Sequence, residues 1–161
     1  MPGTPAAAHF LNVTARTLAR LPPILLVEDD DKDLYLMRRA FSATHVENTL
    51  LVALDGEDAI QLLTVNDGCR IPRPGLLITD LKMPKVDGFE LLLWLQTQPQ
   101  LKSMPKLVVS SSALEEDLAK SLRLGATAYF IKPTTYAGLL ELVSVWKTTL
   151  FENTPAAVKA G

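Results

Sequence analysis

Four acidic side chains, Glu28, Asp29, Asp30 and Asp31, follow directly on the apolar run ILLV. Adjacent carboxylates repel, and carrying them even partly out of water is costly unless a cation meets them. Two settings would accept them: solvent, with Asp31 capping a following helix, or a metal ion. Three more polar residues stand at the ends of short apolar runs: Asp80 after GLLIT, Ser110 after KLVV and Lys132 after AYFI. Carboxylates, a hydroxyl and an ammonium together suit phosphoryl chemistry. Hard oxygen ligands select Mg²⁺, which binds few protein carboxylates, keeps waters and shares a phosphoryl group. One acid must then differ from the rest, and Asp80, between LLIT and LKMP, is placed to act as a nucleophile on phosphorus. Charge on a transferring phosphoryl group spreads over its equatorial oxygens, where Lys132 and Ser110 would help the metal neutralise it.

These residues meet only if the chain delivers them to one edge. From Ile24 onward, short apolar runs alternate with amphipathic stretches, the pattern of strand and crossover helix in a parallel sheet. Strands are expected over 24–28, 50–54, 76–80, 106–110 and 128–132, each too short for a helix. Helices are expected over 32–43, 56–64, 88–96, 113–124 and 135–150. Asp55 with Asp58, Asp87 with Glu90 and Ser112 with Glu115 each set a capping oxygen three residues ahead of an acid, and Gly125 stands where a helix C-cap belongs. In an open parallel sheet, ligands bind beyond the carboxyl ends of the strands at the switch point of strand order. Four of the five expected strands end in polar groups, so the acids, Ser110 and Lys132 reach the same edge.

The 161 residues, 48% of them hydrophobic, suffice for one domain with a substantial core. With 16 basic against 18 acidic residues, the chain has no global positive field to hold a nucleic-acid backbone. A single cysteine, Cys69, forms no intramolecular disulfide and suits a reducing compartment, so a cytoplasmic location is expected. No apolar run approaches a membrane span, and the first residues lack a secretory core. Residues 1–22 are expected to be a tail with a short helix over 12–21. Arg16 and Arg20, with no acid before Glu28, give this tail a slight likeness to a transit peptide. The folded domain should span 23–151, with a loop over 65–75 and a disordered tail over 152–161. His9 and His45 have no nitrogen or sulfur partner nearby, which argues against a transition-metal site.

The segments LLVEDD, LLITDLKMPKVDGFELL, KLVVSSS and GATAYFIKP, in that order, resemble the receiver domains of two-component response regulators. Asp80 to Ser110 is thirty positions and Ser110 to Lys132 twenty-two, spacings that the family shares. The resemblance implies an α/β, flavodoxin-like (βα)5 fold with a doubly wound sheet in the order 2-1-3-4-5. It implies a phosphorylation-dependent switch in which Asp80 accepts a phosphoryl group from a sensor histidine kinase. Asp29 and Asp80 would touch Mg²⁺, Glu28 would act mainly through water, and Lys82 would lend its backbone carbonyl. Lys132 would pair with the phosphoryl group, Ser110 and Tyr129 would switch, and the bond before Pro133 would be cis. Such a chain catalyses only its own phosphoryl transfer and dephosphorylation and is not otherwise an enzyme.

Within that family, the ILLVED start and the loop TVNDGCRIPRPG resemble the single-domain, chemotaxis-regulator-like regulators that serve phytochrome-type and other hybrid-free histidine kinases. Residues 152–161 are too few for a DNA-binding domain, so output is expected through protein contact or onward phosphotransfer to an unknown target. On the fifth helix, Tyr136, Leu139, Leu140, Val143, Trp146 and Leu150 form an apolar stripe, with Leu142 and Val145 beside it and Phe151 projecting past its end. This excess predicts a homodimer through the fifth helix, or through the face that it makes with the fourth helix and fifth strand. Two rival chemistries fit less well. A flavodoxin-like electron carrier needs hydroxyl and glycine donors after the first strand, where acids here would repel a flavin phosphate. A Mg²⁺-dependent aspartyl phosphatase would carry DxDGT on the first strand, and a scaffold-only pseudo-receiver would not need the full acid, serine and lysine set.

Overall fold

The structure, a computed structural model, describes residues 21–64 and 72–151. The expected helix over 12–21, the C-terminal tail and most of the loop containing Cys69 lie outside the described residues. In chain order the elements are β1 (Ile24–Val27), α1 (Asp31–Ala43), β2 (Leu50–Ala53), α2 (Gly56–Thr64) and β3 (Leu76–Thr79). They continue with α3 (Gly88–Gln96), a 3₁₀ turn (Pro99–Leu101), β4 (Lys106–Ser110), α4 (Glu115–Arg123), β5 (Ala128–Ile131) and α5 (Tyr136–Trp146), which runs into a π-helical turn (Lys147–Phe151). The five strands are parallel in the order β2-β1-β3-β4-β5, the expected doubly wound sheet.

Every residue of β1, β3 and β4 is buried, as both faces of a central parallel strand must be. The period-two alternation of side chains splits the core. Ile24, Leu26, Ile78, Leu107 and Val109 face Met37, Phe41, Val143 and Trp146 of α1 and α5. Leu25, Val27 and Leu77 face Ala59, Leu63, Leu91 and Leu95 of α2 and α3. Trp146 is fully buried and Trp94 packs half-buried against the second core.

Four of the strand ladders stop one residue before their expected ends. Glu28, Asp80 and Lys132 still donate a backbone hydrogen bond to the neighbouring strand (to Ala53 O at 3.0 Å, Val27 O at 3.2 Å and Ser110 O at 2.8 Å). Beyond that last bond the chain turns away, which frees their side chains to lean over the sheet edge.

The expected caps hold at α2 and α3. Asp58 N donates to Asp55 Oδ1 (2.9 Å), and Asp87 and Glu90 form a reciprocal capping box. At α1 the cap is Asp30, whose Oδ1 accepts from Asp33 N (2.9 Å), so Asp31 is the first helical residue rather than the cap. At α4, Ser112 is not the cap. Its hydroxyl donates to Asp117 Oδ2 (2.6 Å) and accepts from Leu114 N (3.3 Å), so the helix starts at Glu115 instead of residue 113. Gly125, at φ +95°, closes α4 with Ala126 N on Ser121 O (3.0 Å) and Gly125 N on Leu122 O (3.1 Å).

The expected apolar excess on α5 is corrected in part: Val145 is exposed, but Leu142 and Phe151 are not left in water. Phe151 does not project into solvent: the π turn swings it into the core, 2% exposed, with its ring 5.8 Å edge-on from Phe41. Leu142 is half-buried against the same core. The physical reason is that α5 packs against α1 as well as the sheet, so it needs a wider apolar face than one contact would.

At the other end of the sheet, Lys106 is buried and its ammonium donates to the carbonyls of Leu101 (3.1 Å), Lys102 (3.3 Å) and Met104 (2.7 Å). Burial pushes its pKa down, and all three donors are occupied.

Gly88 opens α3 directly under the end of β3. A Cβ there would overlap Asp80 O and come within 2.7 Å of Leu81 Cα, and Gly88 N donates to Leu81 O (2.8 Å). Gly88→Ala should therefore lower stability by about 1–3 kcal/mol, the usual cost of overpacking against backbone, read as a shift in urea midpoint at unchanged slope.

Candidate functional site

At the carboxyl edge, the Lys132 ammonium lies 2.8 Å from each of three carboxylate oxygens: Glu28 Oε2, Asp33 Oδ2 and Asp80 Oδ2. Glu28 comes from the end of β1, Asp33 from the first turn of α1, Asp80 from the end of β3, and the lysine from the end of β5. Burial alone would drive the lysine toward neutrality, but the three carboxylates outweigh it and hold its pKa well above the usual lysine value. Glu28 is buried, and loss of hydration pushes its pKa up against the opposing pull of Lys132 and the Asp30 N–H. Its other oxygen, Oε1, accepts from Asp30 N (3.0 Å).

Asp80 is held from two sides, with Oδ1 accepting from Leu81 N (2.6 Å) and Oδ2 from Lys132. Asp29 is exposed. One carboxylate oxygen from each of Glu28, Asp29 and Asp80 lies within 4.8 Å of the others. Three hard oxygens facing a single ammonium leave a net negative charge, which fits a hard divalent cation. Lys82 lies in the loop that leaves β3. The carbonyls of Asp80 and Leu81 are engaged by Thr79 Oγ1 and Gly88 N, both at 2.8 Å, whereas that of Lys82 accepts from no described residue.

Ser110 is fully buried at the end of β4 and its Oγ accepts from Ser112 N (3.2 Å) rather than touching Asp80 or Lys132. Tyr129, paired with Val108 in the sheet, donates its hydroxyl to Ser112 O (2.8 Å). The structure thus gathers Glu28, Asp29, Asp80 and Lys132, and joins Ser110 and Tyr129 to each other through Ser112.

The expected cis bond before Pro133 is corrected: no cis peptide occurs among the described residues. Trans is the ordinary preference of an X–Pro bond, and the trans chain already carries Lys132 to its three partners.

Asp33 is the site residue that sequence reasoning missed. The available signal was the run DDDKD: with Asp30 as cap, Asp33 falls on the first turn facing the same edge as Glu28.

A doubly wound sheet with carboxylates from β1 and β3 and a lysine from β5 gathered at its switch point defines the class. The response regulator receiver domain family matches residues 24–144, and the chain belongs to that family. Response regulator Rcp1 of Synechocystis sp. is 33% identical over 143 residues, 84% of this chain and 96% of that protein. The probable methanogenesis regulatory protein FilR2 of Methanothrix harundinacea is 31% identical over 120 residues, 74% of this chain and 77% of that protein. Among solved structures, the phosphorylated cyanobacterial phytochrome response regulator RcpA superposes with a TM-score of 0.75 at 30% identity, covering 83% of this chain and 96% of its own. The Mn²⁺-bound form of Rcp1 gives a TM-score of 0.72 at 30% identity, covering 82% and 96%. The chain is therefore a receiver domain of two-component signalling, as its resemblance implies.

Lys132 is the one cation bonded to the buried Glu28 among the described residues. Lys132→Met in metal-free buffer should cost about 3 kcal/mol of stability, the scale of stranding one member of a buried pair. The raised lysine pKa means that this stabilisation is complete below its ordinary value of 10.5 and fades only as pH climbs through the folded value. As pH falls through the raised pKa of Glu28 that acid takes up its proton and no longer needs the lysine, so the gap between variant and wild type should narrow there, as chemical denaturation at several pH values would show.

Proposed function

We propose that this chain is a phosphorylation switch in which Asp80 accepts a phosphoryl group from the phosphohistidine of a sensor kinase. The observation that supports this reading is the placement of Asp80, held by the Leu81 N–H and Lys132 beside the oxygens of Glu28 and Asp29. In the transfer, an Asp80 oxygen forms the new bond to phosphorus as the histidine N–P bond breaks. The bonding pair returns to that imidazole nitrogen, and the ring leaves neutral because its other nitrogen carries a proton. Lys132 moves its donor toward the phosphoryl oxygens. When bound, Mg²⁺ supplies positive charge to those oxygens; Asp29 and Asp80 would hold it directly, Glu28 through water and Lys82 by its carbonyl. The Mn²⁺-bound relative and the three-carboxylate cluster support a divalent cation here.

Ser110 then turns its hydroxyl from Ser112 N to the phosphoryl group, and Tyr129 follows into the space released, which reshapes the face of α4, β5 and α5. Water later attacks the acyl phosphate, so the chain catalyses only its own charging and discharge. A phytochrome-type kinase is the proposed donor, a reading supported by the likeness to a phytochrome response regulator. We place the switch in the cytoplasm with output to a protein rather than to nucleic acid, in keeping with a net charge of −2. No helix among the described residues is long and apolar enough to cross a membrane.

Incubation with acetyl phosphate and Mg²⁺ should add one phosphoryl group by intact mass, and Asp80→Asn or EDTA should abolish it. Labelling of Asp80→Asn at the wild-type rate would sink the assignment.

Self-association is part of the same reading, with its support moved from the α5 stripe to the surface around β5. Leu114, Leu118 and Leu122 line one side of α4, with Ile131 on the edge strand and Val145 on α5, each at least 41% exposed. Sedimentation with beryllofluoride as phosphoryl mimic, and without it, should show a dimer in at least one state. Leu118→Asp with Leu122→Asp should remove that dimer, and a monomer in both states overturns it.

A further inference from the structure

An ammonium has three N–H donors, and Lys132 has spent all three on carboxylates at 2.8 Å. A phosphoryl oxygen can gain one only if a carboxylate lets go. The three differ in what letting go would cost. The Glu28 side chain is 6% exposed, and without the lysine it would be a stranded buried charge. Asp80 is the reacting group itself. The Asp33 side chain is 41% exposed, so water can take the place of the lysine at little cost. A cavity of about 80 Å³ is lined by Asp33 and Lys132 together with Glu28, Met37, Thr134 and Leu139 among others, so the Asp33–Lys132 pair is not packed in on all sides.

The first turn of α1 has no need of the Asp33 carboxylate. An acid three residues past a helix cap ordinarily reaches back to the N–H of the cap. Here Glu28 Oε1 has taken the Asp30 N–H, so Asp33 turns to Lys132 instead.

Building on the phosphoacceptor reading above, we propose that Asp33 is a positioning residue that competes with the incoming phosphoryl group for Lys132. Before transfer it keeps the lysine poised and its third donor occupied, and its charge repels the anionic donor. After transfer it draws the lysine away from the phosphoryl oxygens and shortens the life of the acyl phosphate.

The test is phosphorylation by acetyl phosphate at saturating Mg²⁺, because losing a nearby charge also weakens metal binding. Asp33→Asn and Asp33→Ala should lower the half-saturating acetyl phosphate concentration about three- to tenfold, the size of one screened charge at this range. They should also lengthen the phosphorylated lifetime, while Asp33→Glu, which keeps the charge, stays near wild type. A merely structural role at the helix start would move thermal stability and leave half-saturation alone. Half-saturation that is unchanged or higher in both neutral variants, with wild type charged on Asp80, overturns the competition. A wild type that takes up no phosphoryl group overturns the phosphoacceptor reading, and the competition with it.

Discussion

The ammonium of Lys132 is the interaction on which the carboxyl edge of this sheet depends. It joins the ends of three strands and the start of α1 across sequence separations of 52, 99 and 104 residues. In the order β2-β1-β3-β4-β5, the lysine strand stands two places from β3, roughly 10 Å by strand spacing. Only a long side chain leaning inward from the loop can cross that gap, and lysine supplies both the length and a compact charge. Without it, Glu28, Asp29, Asp33 and Asp80 would face one another as bare negative charges in a partly dry crevice.

That single cation serves opposing demands. Stability asks it to stay on Glu28, whose burial pushes its pKa up and makes it the costliest acid to abandon. For Glu28 the linkage runs against the fold as pH rises from 4.5 through its raised folded value, since the folded chain holds that proton longer than the unfolded one. Lys132 opposes this by favouring the ionised form. The proposed chemistry at Asp80 would ask the same ammonium to share itself with phosphorus-bound oxygens. A graded series of exposures reconciles the two: Glu28 is shut in, Asp80 is partly open and Asp33 is wet, so partner exchange can begin where water substitutes most easily.

Much of this was legible in the sequence because the signals were local. A short apolar run ending in a polar residue says strand and edge at once, and the switch-point rule then collects those ends in one place. Asp87 with Glu90 reads as a capping box from four residues alone. The misses turn on which of several partners a polar or apolar group finds, near or far in sequence. Asp33 resembled ordinary first-turn acid because its lysine lies 99 residues away. Ser112 resembled a cap until Asp117 claimed its hydroxyl, and Phe151 resembled an exposed end because nothing local announces the π turn that buries it against Phe41. Lys106 would not be read as core, since its burial rests on the carbonyls of Leu101, Lys102 and Met104, which the chain after the 3₁₀ turn brings onto its ammonium.

Ser112 makes the physical link between the site and the outer face. Its N–H rests on Ser110 Oγ, its hydroxyl on Asp117 of α4, and its carbonyl on the Tyr129 hydroxyl of β5. A Ser110 hydroxyl that turned toward a phosphoryl oxygen would leave the N–H of the buried Ser112 without its acceptor, and an unpaired buried donor costs about 1–3 kcal/mol. The least costly repair is for the loop to shift, and it cannot shift without moving the first turn of α4 and the Tyr129 hydroxyl together. The exposed leucines of α4 and Ile131 beside Tyr129 lie on the elements so moved. On the proposed reading, charge placed at the end of β3 would thus reach the apolar surface at the far edge of the sheet through one residue whose three polar groups are all in use.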